Sequence, residues 1–120
     1  MPDVKLKSIS PIFQVANLER ALAFYRNKLG FDVAWQAGEP PTHAAVCRDE
    51  VEISLEVAAS PAPGHAYLHV NGVDVLFATA TAAGARIAVP LADRWYGMRD
   101  GRIADPDGNQ ISVGEATQGT

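Results

Sequence analysis

The side chains able to do chemistry in this sequence fall on alternating positions. Glu52, Ser54 and Glu56 are spaced two apart, as are His65, Tyr67 and His69, and Gln110 and Ser112. Between them stand apolar residues: Val51, Ile53, Leu55 and Val57, then Ala66, Leu68 and Val70, then Ile111 and Val113. Strand side chains alternate between sheet faces, so each polar set shares one face and each apolar set the other. Ser10, Ile12 and Gln14 oppose Pro11, Phe13 and Val15 in the same way. A face of carboxylates, imidazoles and hydroxyls can bind a polar ligand, and Glu52 or Glu56 can act as a general base if an apolar wall raises its pKa. Three large aromatics add a stacking surface for a flat or cationic molecule: Trp35, Trp95 and Tyr96. Trp35 falls on a strand, where core packing explains it equally well. Trp95 and Tyr96 fall in a loop, which favours ligand contact.

Other chemistry is missing. Gly72, Gly84 and Gly97 do not space into a phosphate-binding or dinucleotide fingerprint, and no nucleophile elbow occurs. Cys47 is the single cysteine, so an internal disulfide and a cysteine-based zinc site are both excluded. Its mid-strand position suits a small packed residue better than a nucleophile. His43 and His69 fit ordinary strand histidines with water as partner.

The elements that must position these residues follow from pattern and punctuation. Residues 8–15 read as a strand. Asn17 offers an N-cap to a helix over 18–29, with Leu18, Ala21, Leu22, Tyr25 and Leu29 on one stripe and Gly30 as its C-cap. Strands follow at 31–37, 43–48 and 51–57, the last two as a hairpin turned at Asp49-Glu50. The stretch 58–64, with Pro61 and Pro63, reads as a linker. The pattern then restarts with a strand at 65–70, a helix at 73–83 closed by Gly84, a short strand at 86–89, a loop at 90–100, and a hairpin of 102–105 and 110–114. Asp105-Pro106-Asp107-Gly108-Asn109 makes its turn, with Pro and Gly where tight turns want them. Val15-Ala16-Asn17-Leu18 matches Val70-Asn71-Gly72-Val73, and Ile53-Ser54 matches Ile111-Ser112. Each half therefore runs strand, helix, strand, strand, strand. The expected fold is α+β, a single domain over 1–120, with module one at 8–57, the linker at 58–64 and module two at 65–115.

The 120 residues suffice for one core and not for two independent domains. A formal net charge of −4 leaves no electrostatic footprint for nucleic acid, and no apolar run approaches the roughly 20 residues of a membrane span. The start, from Met1 to Lys5, lacks the basic and apolar regions of a secretory signal, so the expected location is the cytoplasm.

Three segments carry a resemblance. Pro11-Ile12-Phe13-Gln14-Val15, Leu18-Glu19-Arg20-Ala21, Phe24-Tyr25 and Leu29-Gly30-Phe31 resemble the opening signature of the vicinal-oxygen-chelate superfamily, the group of glyoxalases, bleomycin-resistance proteins and dioxygenases. Asp105-Pro106-Asp107-Gly108-Asn109 resembles its closing signature. Trp95-Tyr96-Gly97-Met98-Arg99-Asp100, together with Trp35, is similar to the bleomycin-resistance branch. The resemblance covers residues 8 to 115. It implies two βαβββ modules whose curled mixed sheets form a cleft, with helices on the outer face, and it implies a homodimer. It also turns the polar sheet face, which the residues alone favour as the solvated side of an antiparallel sheet, into the lining of that cleft.

The resemblance places metal ligands of the enzymes at inward strand positions, which here are Ser10, Ser54, His65 and Ser112. One imidazole among three neutral hydroxyls is a poor donor set for a divalent ion. No cofactor is therefore expected. The alternative is a divalent metal held by Glu56 and His65 after a shift of register. The expected function is a dimeric, metal-free protein that sequesters a planar or cationic metabolite or antibiotic. Trp35, Trp95 and Tyr96 would serve as walls, Ser54, His65 and Ser112 as polar floor, and Glu52 and Glu56 as charge. Two other readings stay open: a metal-dependent glyoxalase- or dioxygenase-type enzyme with atypical ligands, and a metal-free isomerase using Glu52 or Glu56 as base.

Overall fold

Two helix boundaries show how closely local chemistry sets the frame. The Arg20 amide donates to Asn17 Oδ1 at 2.9 Å, and Gly30, at φ +72°, turns its own N–H back to the Tyr25 carbonyl. Helix α1 (Leu18–Leu29) is thus closed at both ends by its own sequence. The computed structural model describes residues 3–117. The ends of the expected 1–120 range, residues 1, 2 and 118–120, lie outside the described residues.

The first module comprises β1 (Ile12–Val15), α1, β2 (Asp32–Ala37), β3 (His43–Arg48) and β4 (Val51–Val57). The second comprises β5 (His65–His69), α2 (Val73–Ala82), β6 (Arg86–Asp93), β7 (Met98–Ala104) and β8 (Gln110–Ala116). Each module makes one four-stranded mixed sheet, in the orders β1-β4-β3-β2 and β5-β8-β7-β6. In both, the first strand pairs parallel with the last and the other pairs are antiparallel. Neither sheet closes on itself. This is the expected α+β arrangement of two βαβββ modules. Among the described residues no helix is long and apolar enough to cross a membrane.

The alternation read from sequence decides which face is dry. Phe13, Val15, Ala44, Val46, Ile53 and Leu55 are buried beneath Leu18, Ala21, Leu22 and Tyr25 of α1. Ile103, Ile111 and Val113 are buried with Val73, Phe77 and Ala80 of α2 in the same cluster. Gly72 brings no capping side chain to α2. Glu115 of β8 supplies one instead, accepting from the Gly72 and Val73 amides at 2.9 Å each.

The modules are joined by the turn between β7 and β8. Asp105 Oδ1 accepts from the amides of Asp107 and Asn109, and its Oδ2 accepts from Asn109 Nδ2 and from Tyr25 Oη of α1. Asn109 Nδ2 also donates to the Gln14 carbonyl, while Asp107 Oδ1 accepts from the Ala16 amide and from Arg20. The linker ends on the same turn: Gly64 N donates to Asn109 Oδ1, and a Cβ on Gly64 would lie 2.9 Å from the Phe13 ring.

Three boundaries differ from the sequence expectation by four residues each. β1 begins at Ile12 rather than at residue 8, because Pro11 has no N–H to donate, although its carbonyl still accepts from the Ser54 amide. β6 continues to Asp93 instead of ending at 89, and β7 begins at Met98 instead of 102, so the expected loop at 90–100 shrinks to a turn at 94–97. Pro90 is the source of the difference. It sits on an edge strand whose register shifts on both sides of Val89, where a missing donor breaks little of the ladder.

Candidate functional site

The polar face of the second sheet carries a depression of about 400 Å³. Register sets its floor. Tyr67, Ser112, Arg102 and Val89 lie in one cross-strand row, and His65 and Gln110 lie in the row beside it. On the other side, His69, Gly114 and Asp100 form a third row. Arg94 and Tyr96 reach in from the β6–β7 turn.

Asp100 is the centre of this face. Its Oδ2 accepts from Tyr67 Oη at 2.8 Å and from Tyr96 Oη at 2.7 Å, and its Oδ1 accepts from Arg94 Nε at 2.9 Å. Arg94 Nη2 also donates to the Pro90 and Asp100 carbonyls, which pins the turn to the sheet. Burial pushes the Asp100 carboxyl upward, but the hydrogen bonds from Tyr96, Tyr67 and Arg94 outweigh it and hold the group below the usual carboxylate range. The phenols respond in the opposite sense. Burial and the bond to Asp100 push Tyr67 up to about 12, and Tyr96 is raised chiefly by its own bond to Asp100. The carboxylate stays charged and both hydroxyls stay protonated, so neither phenol is a base at neutral pH.

Tyr67 reaches Asp100 across Gly114. A Cβ there would lie 2.7 Å from Tyr67 Cζ and 3.0 Å from Asp100 Cβ. The glycine is needed for space beneath the ring. Beyond it, His65 Nε2 and Ser112 Oγ are hydrogen-bonded at 2.7 Å.

The expected site residues divide between the two sheets. His65, Ser112 and Tyr96 line this depression. Trp95 stands at the tip of the turn, 95% exposed, with its ring edge-on to Tyr96 at 5.3 Å. Trp35, Glu52, Ser54 and Glu56 share the polar face of the first sheet. There Ser54 stands opposite Ile12 and Ala45, Trp35 opposite Ala45, and Glu52 opposite Cys47. Glu56 stands opposite Gln14 and His43 and accepts from Gln14 Nε2 at 3.4 Å. The pair considered as metal ligands, Glu56 and His65, is therefore split between sheets, each with a hydrogen-bond partner of its own. Among the described residues no three His, Cys, Asp or Glu side chains converge to hold a metal ion.

Four polar lining residues have no site role in the sequence expectation: Tyr67, Arg94, Asp100 and Arg102. Tyr67 falls on the expected polar face, Arg94 and Asp100 fall in the expected loop, and Arg102 opens the expected last hairpin. The signal for Asp100 and Arg102 is the alternation of Asp100, Arg102 and Ala104 through β7, which a strand start at 102 conceals.

A larger groove of about 1040 Å³ runs between the end of α1 and the β5–α2 corner. Two of its cations are turned to structural duty: Lys28 Nζ donates to the Ala83 carbonyl and Arg48 Nη1 to the Leu29 carbonyl.

Comparison with known proteins gives one family. The profile described as "Glyoxalase/Bleomycin resistance protein/Dioxygenase superfamily" matches residues 6–113. The fold is similar to that of a bleomycin resistance determinant encoded on the transposon Tn5, with a TM-score of 0.82 and 14% identity over 94% of this chain and 100% of that one. It is similar to a glyoxalase-related enzyme from Clostridium phytofermentans, with a TM-score of 0.80 and 16% identity over 97% and 99% of the two chains. It is also similar to TioX from Micromonospora sp. ML1, with a TM-score of 0.77 and 20% identity over 91% and 99%. At these identities the likeness speaks for the fold alone. No curated protein matches the chain.

Proposed function

This chain belongs to the glyoxalase/bleomycin resistance protein/dioxygenase superfamily, and from that membership we propose that it is a cytoplasmic small-molecule-binding protein of bleomycin-resistance type, which sequesters a planar metabolite or antibiotic as a homodimer without a metal. The observation that carries this reading is the ordered depression on the second sheet. Tyr67, Tyr96, Arg94 and Asp100 hold one another there before any ligand arrives, and aromatic surface stands beside a few convergent polar groups. That is the usual make-up of a small-molecule site.

The donor chemistry supports independence from metal. At the positions that the resemblance assigns to the metal ligands of the superfamily's enzymes, this chain offers Ser10, Ser54, His65 and Ser112. The imidazole of His65 is already bonded to Ser112 Oγ. Hydroxyls that remain protonated do not replace carboxylates or imidazoles around a divalent ion.

The dimer is supported by two features. β1 and β5 are both edge strands, and Ile12 on β1 is 63% exposed on the polar face, an expense in water that a second chain would remove. The two polar faces also differ in charge. Glu52 and Glu56 make the first acidic, while Arg86 and Arg102 add positive charge to the second. A first-sheet face set against a second-sheet face would enclose a cleft with Trp35, Glu52, Ser54 and Glu56 on one wall and His65, Tyr96 and Ser112 on the other, with Trp95 at its rim.

The test is metal content together with mass in solution. After incubation with Ni, Zn, Mn or Fe(II) in turn and desalting, metal per chain is expected near zero, and light scattering is expected to give twice the chain mass. A ratio of about one metal per chain would overturn the reading in favour of a metal-dependent enzyme, and would make Glu56 and His65 the first pair to substitute.

A further inference from the structure

We propose that the depression on the second sheet recognises a carboxylate borne by a flat, apolar molecule, with Arg102 as the group that binds it. This rests on the reading above that the depression is the binding site, and it names the chemistry that site takes.

The argument is a charge balance. Asp100 and Arg94 face the depression and neutralise each other through the 2.9 Å ion pair. Both phenols spend their protons on the same carboxylate. Arg99 lies outside and is paired with Asp74 and Asp93. Arg102 is different: among the described residues it forms no ion pair, and its one hydrogen bond is a long one, from Nη1 to Gln110 Oε1 at 3.3 Å. A guanidinium cannot shed its proton in a protein, so Arg102 leaves the depression with a net positive charge. Arg86, on the same face one row away, adds to it.

A cation would meet repulsion there, because Asp100, the only carboxylate among the described residues of the depression, is already satisfied by three donors. An anion meets the planar fork of Arg102, whose paired N–H groups match the two oxygens of a carboxylate. Next to it along the row is Ser112, whose hydroxyl can turn from His65 toward a bound oxygen. Val89 and the rings of Tyr67 and Tyr96 give the rest of the ligand an apolar surface.

The experiment titrates three probes of one shape, 2-naphthoate, 2-naphthamide and 2-naphthylmethylammonium, into the full-length protein, followed by amide NMR shifts. Naphthoate is expected to bind most tightly and to move the amides of Gly101, Arg102 and Ser112. Arg102→Gln is expected to lower the ratio of naphthoate to naphthamide affinity by about tenfold or more, and Arg102→Lys to lower it less. Preserved dispersion of the amide spectrum checks that each variant is folded. If naphthamide or the ammonium probe binds the wild type as well as naphthoate does, or if Arg102→Gln leaves the ratio unchanged, the carboxylate assignment is overturned while the site stands. If no probe at millimolar concentration moves those amides, or if all shifts fall around Ser54 and Glu56, the site itself is overturned.

Discussion

Tyr25 and Asp105, eighty positions apart in sequence, meet in a buried hydrogen bond of 3.0 Å between phenol and carboxylate. The bond joins α1 of the first module to the turn of the second. Burial and the adjacent carboxylates of Asp105 and Asp107 push the Tyr25 phenol far above its ordinary range, so it stays a donor as long as the protein is folded. Tyr25→Phe should lower stability by about 1–3 kcal/mol, because Asp105 Oδ2 loses one of its two donors in a site closed to water. The urea midpoint should fall with the slope unchanged. Asp105→Ala should cost more, since it strands the amides of Asp107 and Asn109 as well as Tyr25 and Asn109 Nδ2. An unchanged midpoint in both variants would remove this contact as the tie between modules.

Gly114→Ala should disturb the candidate site more than its size suggests. The added methyl would press on the Tyr67 ring, and the ring must leave Asp100 to make room. Stability should drop by about 1–3 kcal/mol, as for an overpacked position. The Tyr67 ring resonances should shift, and affinity for any ligand found in the depression should weaken. Retained Tyr67 shifts would mean that the backbone absorbs the methyl and the ring needs no gap.

Alkaline titration should show an unusual phenol count. The chain has three tyrosines, and all three are raised above the ordinary value of 10.0. Absorbance at 295 nm should therefore rise at higher pH in the folded protein than for free tyrosine. The sign for stability follows from proton linkage. A phenol with a raised folded-state pKa contributes stability that is fully present below the unfolded value, and that contribution is lost as pH rises through the folded value. For Tyr67 the window runs from 10.0 to about 12. Asp100→Asn should bring the Tyr67 and Tyr96 transitions down toward 10.0. Ordinary titration in the wild type would show that the Asp100 bonds do not form in solution.

Trp95→Ala should separate binding from folding. The side chain is almost wholly exposed and its aromatic contact is the exposed Tyr96, so thermal stability should be unchanged. Ligand affinity should fall if Trp95 closes over a bound ring, and Tyr96→Ala should lower it further by also releasing Asp100. Unchanged affinity in both variants would remove the turn from the site.

Much of this protein was legible in its residues taken in order. Asn17 and Gly30 set the ends of α1 because caps are local chemistry. The alternation through Glu52–Glu56 and His65–His69 named the polar face because a strand turns each side chain over at every step. The repeat of βαβββ order and the Asp105–Asn109 turn pointed to the family. Tertiary structure alone decided how those faces are used. Asp100 reads as a loop carboxylate until β6 is seen to run through Pro90 as an edge strand and to return at Gly97. Tyr67 gains its partner only because Gly114, forty-seven positions away, leaves a gap beneath its ring. Glu56 and His65, nine positions apart, fall on different sheets because the strands of each module pair only with one another. Alternation is a property of one strand and can be read from one strand. Whether a charge is spent or free depends on what the neighbouring strands bring beside it, and that is why Arg102 emerges as the open group of the site only once β7 lies next to β8.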